Sequence, residues 1–396
     1  MPNSVVLLRV HADRIEADVQ IPLGELQSAF GHAVNDSSAG LINRLGPQLR
    51  AYLQQHIRAE RSDGRPWHVV VAALSVQETQ NALNGVYREL VAEVRLVPPT
   101  GADVRRFTFR YDAVVHQVVT HSVLVSVKQD WAGGVLPEAV PANVGIIALD
   151  IPSNTIRPLI IDLKTGSVWT GFRTMVNFGM RHIAEGTDHL LFLLVLLLPA
   201  PLRVNQKQRW GPFGGIRYSL IRLLRIVTAF TLGHSLTLLA GALNWVRLPG
   251  QPVEILIAVS ILVSALHAVR PLFAGQGAVG REGWIAAGFG LVHGLAFANT
   301  LTNLQLDAGP MALSILGFNV GIELMQLFII TLVFPGLILL SRTPAYRVIR
   351  LAGAMLAAIA AVAWVFERVS GEANWVTMWL ITYAPEIPSA TVPCVS

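Results

Sequence analysis

The stretch RHIAEGTDHLLFLLVLLLP, residues 181–199, joins two kinds of chemistry in one segment. Its second half is apolar enough to sit in hydrocarbon. Its first half carries Arg181, His182, Glu185, Asp188 and His189. Read as one helix, His182, Glu185 and His189 fall at i, i+3 and i+7, within an arc of about 60°, with Asp188 to one side. At ~1.5 Å per residue, His189 lies about 15 Å into a bilayer. Ionisable groups at that depth are costly and mark function. Two imidazoles and a carboxylate on one face are good ligands for a borderline divalent metal ion. A neighbouring carboxylate can instead orient a ligating imidazole. A hydrated helix start, with Arg181 and Glu185 paired at i+4, accounts for those two residues better than for the histidines.

The rest of the chain supports a membrane class. Its 396 residues are 53% hydrophobic and only 14% charged, and the mean hydropathy is +0.51. The apolar runs all lie after Gly171, whereas residues 1–165 read as a soluble, extramembrane domain. The net charge of +5 sits largely in short loops between apolar runs, where Lys and Arg set topology rather than bind nucleic acid. The one cysteine, Cys394, excludes an intrachain disulfide and a cysteine-based metal site. No GxxxxGK[ST] occurs, so the chain shows no ATPase motif of its own. The opening residues, MPNSVVLLRV, do not form a signal peptide. If the first domain lies outside the cytoplasm, a signal is expected to have been removed from this numbering.

In the first domain, VVLLRVHADRIEADVQIPL reads as a hairpin. Six further strand-like runs follow, from WHVVVAAL to IRPLIIDL, with one helical stretch, LINRLGPQLRAYLQQHIRAE, between hairpin and strands. A β-rich, sandwich-like domain is expected over 1–165. His11, His32, His56, His68, His116 and His121 are scattered through it and read mainly as isolated packing or surface residues, with a loop-built metal or partner site as the alternative.

Six apolar segments follow within 171–368, at about 174–199, 222–245, 252–270, 284–304, 311–340 and 347–367, each near the ~20 residues that span hydrocarbon. A six-helix transmembrane bundle is therefore expected. The first, third and fifth loops carry Arg203, Lys207, Arg209, Arg217, Arg222 and Arg225, then Arg270 and Arg281, then Arg342, Arg347 and Arg350, while the alternate loops hold only Arg247. This places the basic loops in the cytoplasm and both termini, with the first domain, on the opposite side, the periplasm of a bacterium. The tail, 369–396, holds a ten-residue apolar run that is short for a span and reads as interfacial.

The other spans supply partners for the opening stretch. FTLGHS (230–235) carries Thr231, His234 and Ser235; GLVHGLAFA (290–298) carries His293. Gly290 and Gly294 form a small-xxx-small pair that admits a close helix. FNVGIE (318–323) and its continuation carry Asn319, Glu323 and Gln326 as a polar stripe. Counting inward from the span ends sets His189, His234, His293 and Glu323 at similar depth. The expected metal ligands are His182, Asp188, His189, His234, His293 and Glu323, with Glu185, Ser235, Asn319 and Gln326 supporting them. Each could instead make an interhelical hydrogen bond. His267, near a span end, reads as interfacial.

These motifs, with His182-x5-Asp188-His189, resemble the HupE/UreJ family of bacterial membrane proteins over about 171–368, and the added first domain is similar to that of its longer members. The resemblance implies a nickel or cobalt permease, linked in related proteins to hydrogenase or urease maturation, with His182, Asp188 and His189 binding the metal and His293 and Glu323 matching the family's later His and Glu.

Three functions stay open at this point. The first is a secondary transporter for a divalent transition metal, Ni²⁺ or Co²⁺ by resemblance, driven inward by the membrane potential. The second is an intramembrane metalloenzyme, with Zn²⁺ held by the histidines, Glu323 or Asp188 as base, and the β-domain presenting substrate. The third is a sensor or assembly factor whose β-domain binds a periplasmic protein.

Overall fold

The computed structural model describes residues 3–34, 40–81, 85–205, 207, 209–243, 245, 246, 248–273, 281–304 and 306–371, with backbone alone at 299–303. The chain divides into two units, Met1–Gly171 and Phe172–Ser396. The expected interfacial segment over 369–396 falls outside the described residues from 372 onward, as does Cys394.

The first unit is β-rich. β1 (Ser4–Val10) and β2 (Ile15–Pro22) form the expected antiparallel hairpin, with Val6 opposite Val19. Their side chains alternate buried and half-buried, which is what a sheet with one face on a core requires. α1 (Leu23–Phe30) and α2 (Leu41–His56) follow, then β3 (Ile57–Glu60), β4 (His68–Asn81), β5 (Gly85–Val97), β6 (Arg106–Tyr111), β7 (Ser122–Asp130), β8 (Ala142–Asp150), β9 (Thr155–Ile156) and β10 (Leu159–Asp162). The large sheet runs β4-β5-β2-β1-β7-β8-β9, and β1 pairs β7 in parallel; the small sheet runs β10-β6-β3. Leu26, Leu49 and Leu53 of the helices, Val6 and Leu8 of β1, and Phe107 and Phe109 of β6 share one core. The last four residues of the predicted helix, Ile57–Glu60, are instead β3, because they pair with β6.

The second unit is helical. α3 (Val168–Glu185) leads into it, followed by α4 (Thr187–Leu197), a hairpin of β11 (Leu202–Val204) and β12 (Trp210–Phe213), α5 (Ile216–Ala242), α6 (Gly250–Val269), α7 (Arg281–Asn303), α8 (Ala308–Ser341) and α9 (Ala345–Ser370). Four of these, α5, α6, α8 and α9, are long and apolar enough to cross a membrane. Their outer faces are apolar, as lipid contact demands: Leu232 and Leu236 on α5, Phe328 and Leu332 on α8, and Leu356 and Ile359 on α9 are exposed.

The opening stretch departs from its sequence reading. Instead of one span over 174–199, it forms two helices that meet at Gly186, whose backbone is extended (φ −75°, ψ 98°). The amide of Gly186 closes α3 on the His182 carbonyl at 3.1 Å, and its carbonyl opens α4 by accepting from Leu190 at 2.9 Å. A Cβ at Gly186 would lie 2.7 Å from the His182 carbonyl oxygen and 2.9 Å from the His189 ring, so this turn requires glycine. The predicted span at 284–304 corresponds to α7, which carries His293 and several glycines and is not among the four apolar helices.

Glycines also set the helix spacing. A side chain on Gly290 would fall onto the Phe230 carbonyl, one on Gly294 onto the His234 carbonyl, and one on Gly233 onto the Ala287 carbonyl, so α5 and α7 pack backbone against backbone. Gly179 of α3 and Gly321 of α8 do the same, against the Phe318 and Val176 carbonyls.

Candidate metal centre

These close packings bring four histidines from four helices together. The ring centroids of His182 (α3) and His189 (α4) are 4.6 Å apart, those of His189 and His293 (α7) 5.2 Å, and those of His182 and His234 (α5) 6.4 Å. Aromatic rings wall the group. Phe297 and Phe318 stack at 4.3 Å beside His182, and Phe192 and Phe230 each lie 5.1 Å from His293. His189, His234 and His293 are buried.

Two of the rings have their tautomers fixed. Asp188 Oδ1 accepts from the backbone amide of His189 at 2.9 Å and stands 3.0 Å from its ring Nδ1. A carboxylate accepts, so Nδ1 carries the proton and Nε2 the lone pair. Ser260 of α6 spends its hydroxyl hydrogen on the Ile257 carbonyl at 2.7 Å, so at 3.0 Å from His293 its oxygen must accept from Nε2–H. The lone pair of His293 is then on Nδ1. His189 Nε2, His293 Nδ1, His182 Nε2 and both ring nitrogens of His234 are buried with no hydrogen-bond partner among the described residues. Unpaired buried polar atoms are rare, and each calls for an explanation such as an unplaced ion or water.

The other expected site residues are placed as follows. Glu185 is exposed, because the break at Gly186 turns it away and brings Asp188 to the histidines in its stead. Glu323 is half-buried, and its carboxylate accepts from Thr228 at 3.4 Å; among the described residues, no hydrogen bond or ring contact joins it to the histidines. Gln326 is buried and accepts from Thr231 at 3.2 Å. Ser235 donates to the Thr231 carbonyl. Asn319 donates to the Ile315 carbonyl and leaves Oδ1 buried without a partner among the described residues. A small cavity opens beside His189, lined by Ile183, Phe192, Leu196, Val227 and Gln326.

The sequence reading passed over the phenyl wall, which looks like ordinary apolar span. It also passed over the role of Ser260, whose register against His293 depends on how α6 and α7 pack. At one end of the bundle it missed a second buried group. Arg222 grips Glu282 through two bonds of 2.6 Å and also donates to the Pro199 and Leu202 carbonyls. His267, in the last turn of α6, lies 3.4 Å from the same carboxylate and is buried. Arg222 had counted only as a topology-setting charge.

A family model described as HupE / UreJ protein matches residues 160–368, which contain every helix and side chain of this centre. The chain belongs to the HupE/UreJ family. No curated protein and no solved structure matches it. Among the HupE/UreJ motifs read from the sequence, His182, His189, His234 and His293 converge in space, while Glu323 on α8 is bonded to Thr228.

The histidine spacing suits an ion. A ring nitrogen bound at ~2.1 Å puts its ring centroid roughly 3.2 Å from the metal, so two bound rings have centroids about 4.5 to 6.4 Å apart. The three separations above fall in that range. Among the described residues no three His, Cys, Asp or Glu side chains already converge in metal-holding geometry, so binding requires the rings to turn.

Proposed function

We propose that this HupE/UreJ protein is a secondary transporter for a divalent transition metal, Ni²⁺ or Co²⁺. In this reading it lies in the bacterial inner membrane as six spans, the first formed by α3 and α4 together. The basic loops face the cytoplasm and the β-rich domain faces the periplasm. The single observation that carries the proposal is the set of five unpartnered ring nitrogens on His182, His189, His234 and His293 inside a helical membrane unit. Imidazole nitrogen is a preferred donor for these ions. Asp188 would hold the His189 lone pair inward and supply a negative charge close to the cargo. The cavity beside His189 gives that ring room to move. A membrane potential of ~100 mV favours inward movement of a divalent cation by about 4.6 kcal/mol, twice the single-charge value, which suffices to drive uptake without ATP.

The hydrolase reading has less support. Of the two carboxylates it would use as base, Asp188 is committed to His189 and Glu323 to Thr228. The test of transport is Ni²⁺ and Co²⁺ entry into proteoliposomes under an imposed, inside-negative potential. Uptake should occur with the native protein and be lost in His189→Ala. Tight stoichiometric metal without uptake would refute transport.

A further inference from the structure

The β-rich unit holds a histidine pair of its own, His56 and His116, remote in sequence from the four histidines of the membrane unit. β3 and β6 run antiparallel with Ile57 opposite Tyr111. One step beyond the ladder, the same register sets His56, the last residue of α2, opposite Asp112. The Asp112 amide donates to the His56 carbonyl at 3.2 Å. The chain then turns tightly through Val114, which holds a left-handed φ of 68° although β-branched, an uncommon conformation for such a residue. Its amide donates to the Tyr52 hydroxyl at 3.0 Å. One turn on, His116 returns over Asp112, its amide on the Asp112 carbonyl at 3.0 Å.

The result is a matched pair of rings. His56 and His116 stack 4.4 Å apart and only 16° from parallel, with Tyr52 against His56 at 4.5 Å. His56 Nδ1 lies 2.8 Å from the Asp112 carboxylate, and His116 Nδ1 lies 2.9 Å from the Asp112 carbonyl. Both oxygens accept, so both Nδ1 atoms carry protons and both lone pairs sit on Nε2. Both Nδ1 edges are taken up by one residue, which leaves the two Nε2 edges of the stacked rings for a ligand. Neither Nε2 has a partner among the described residues, and neither is among the atoms sealed from solvent. Both rings are half-buried.

We propose that His56 and His116 form a two-imidazole binding site for a divalent transition-metal ion, with Asp112 as the positioning residue that fixes both tautomers. The donor set selects soft or borderline ions such as Ni²⁺, Co²⁺, Cu²⁺ or Zn²⁺ over Mg²⁺ or Ca²⁺, and water completes the coordination. Two nitrogens bound to one ion at ~2.1 Å lie at most about 4.2 Å apart, and the ion must lie in both ring planes, so the stacked rings have to swing open widely, each pivoting on its Nδ1 contact, to close the site. Hydrogen-bonded oxygen behind a ligating imidazole is the usual support for such ligands. The site stands independently of transport through the membrane unit. If both operate, it gathers the same class of ion on the extramembrane domain.

The test is peptide-resolved histidine modification of the full-length protein by diethyl pyrocarbonate, which attacks unprotonated ring nitrogen. Ni²⁺ alone is the probe, Mg²⁺ the control and the exposed His68 the internal standard. Without Ni²⁺, both His56 and His116 should react. Ni²⁺ should slow both at least tenfold relative to His68, and Mg²⁺ should not. In Asp112→Asn the same protection should need about 10- to 100-fold more Ni²⁺. Equal rates with and without Ni²⁺ would overturn the proposal, as would rings that do not react without the metal. An unchanged Ni²⁺ requirement in Asp112→Asn would overturn the positioning role.

Discussion

Replacing Asp188 by Asn tests the membrane centre with little structural disturbance. Asn keeps an oxygen that can accept from the His189 amide, now 2.9 Å from Asp188 Oδ1, so the start of α4 is preserved. What disappears is the negative charge behind His189 Nδ1, 3.0 Å away. Losing a carboxylate behind a ligating imidazole costs about 10- to 100-fold in metal affinity, or roughly 1.4 to 2.7 kcal/mol. Asp188→Ala should lose the same affinity and about 1 kcal/mol of stability besides, because an orphan amide at the helix N-terminus loses its acceptor. The assay is Ni²⁺ calorimetry on purified protein in detergent, in a His56→Gln, His116→Gln background that silences the extramembrane pair. Ser260→Ala should weaken binding by a comparable factor, since it frees the His293 tautomer. An Asp188→Asn protein that folds and binds Ni²⁺ within about twofold of its parent would refute the assignment of Asp188 as the orienting group.

Three further outcomes are expected. Gly290→Val should destabilise the membrane unit by at least about 1 to 3 kcal/mol through its clash with the Phe230 carbonyl. Gly288→Ala on the same helix, which meets nothing, should be neutral or slightly stabilising; thermal unfolding in detergent compares the two. Breaking the buried Arg222–Glu282 pair with Glu282→Gln should cost roughly 3 to 5 kcal/mol by the same measurement, and a loss under about 1 kcal/mol would mean that the pair is hydrated. In the β-rich unit, burial lowers the pKa of His121 from 6.5 to about 4, beside the Ser4 hydroxyl at 2.8 Å. Between those values the unfolded chain takes a proton that the folded chain excludes. Stability should therefore fall as pH drops from 6.5 toward 4, by roughly 3 kcal/mol in all. Guanidinium unfolding across that range should show this slope, and His121→Phe should flatten it.

How much was legible in the sequence follows from the physics of each element. A histidine inside an apolar run stands out because burying it there is costly, so His182, His189, His234 and His293 could be chosen and their depth counted. Azimuth is different, because it depends on how helices rotate against one another. Glu323 was chosen by counted depth alone, and its carboxylate meets Thr228 on α5. The face drawn through Glu185 assumed a continuous helix; the Gly-Thr-Asp at 186–188 is a helix-start signal that breaks it. In the first domain, alternation revealed the strands, and the hairpin followed from its turn. The β3–β6 pairing that sets His56 beside Asp112 spans more than fifty residues, so no local periodicity reports it. The same long-range packing hid Ser260 behind His293 and Glu282 behind Arg222.

The central claim is that the buried histidines ligate the transported ion. Nickel-edge X-ray absorption tests it most directly, on full-length Ni²⁺-loaded protein in the His56→Gln, His116→Gln background. The expected spectrum shows at least two imidazoles per nickel, with nitrogen at ~2.0–2.1 Å, and loses that signature in His189→Ala. Bound nickel without imidazole scattering, or a spectrum that His189→Ala leaves unchanged, would contradict the claim.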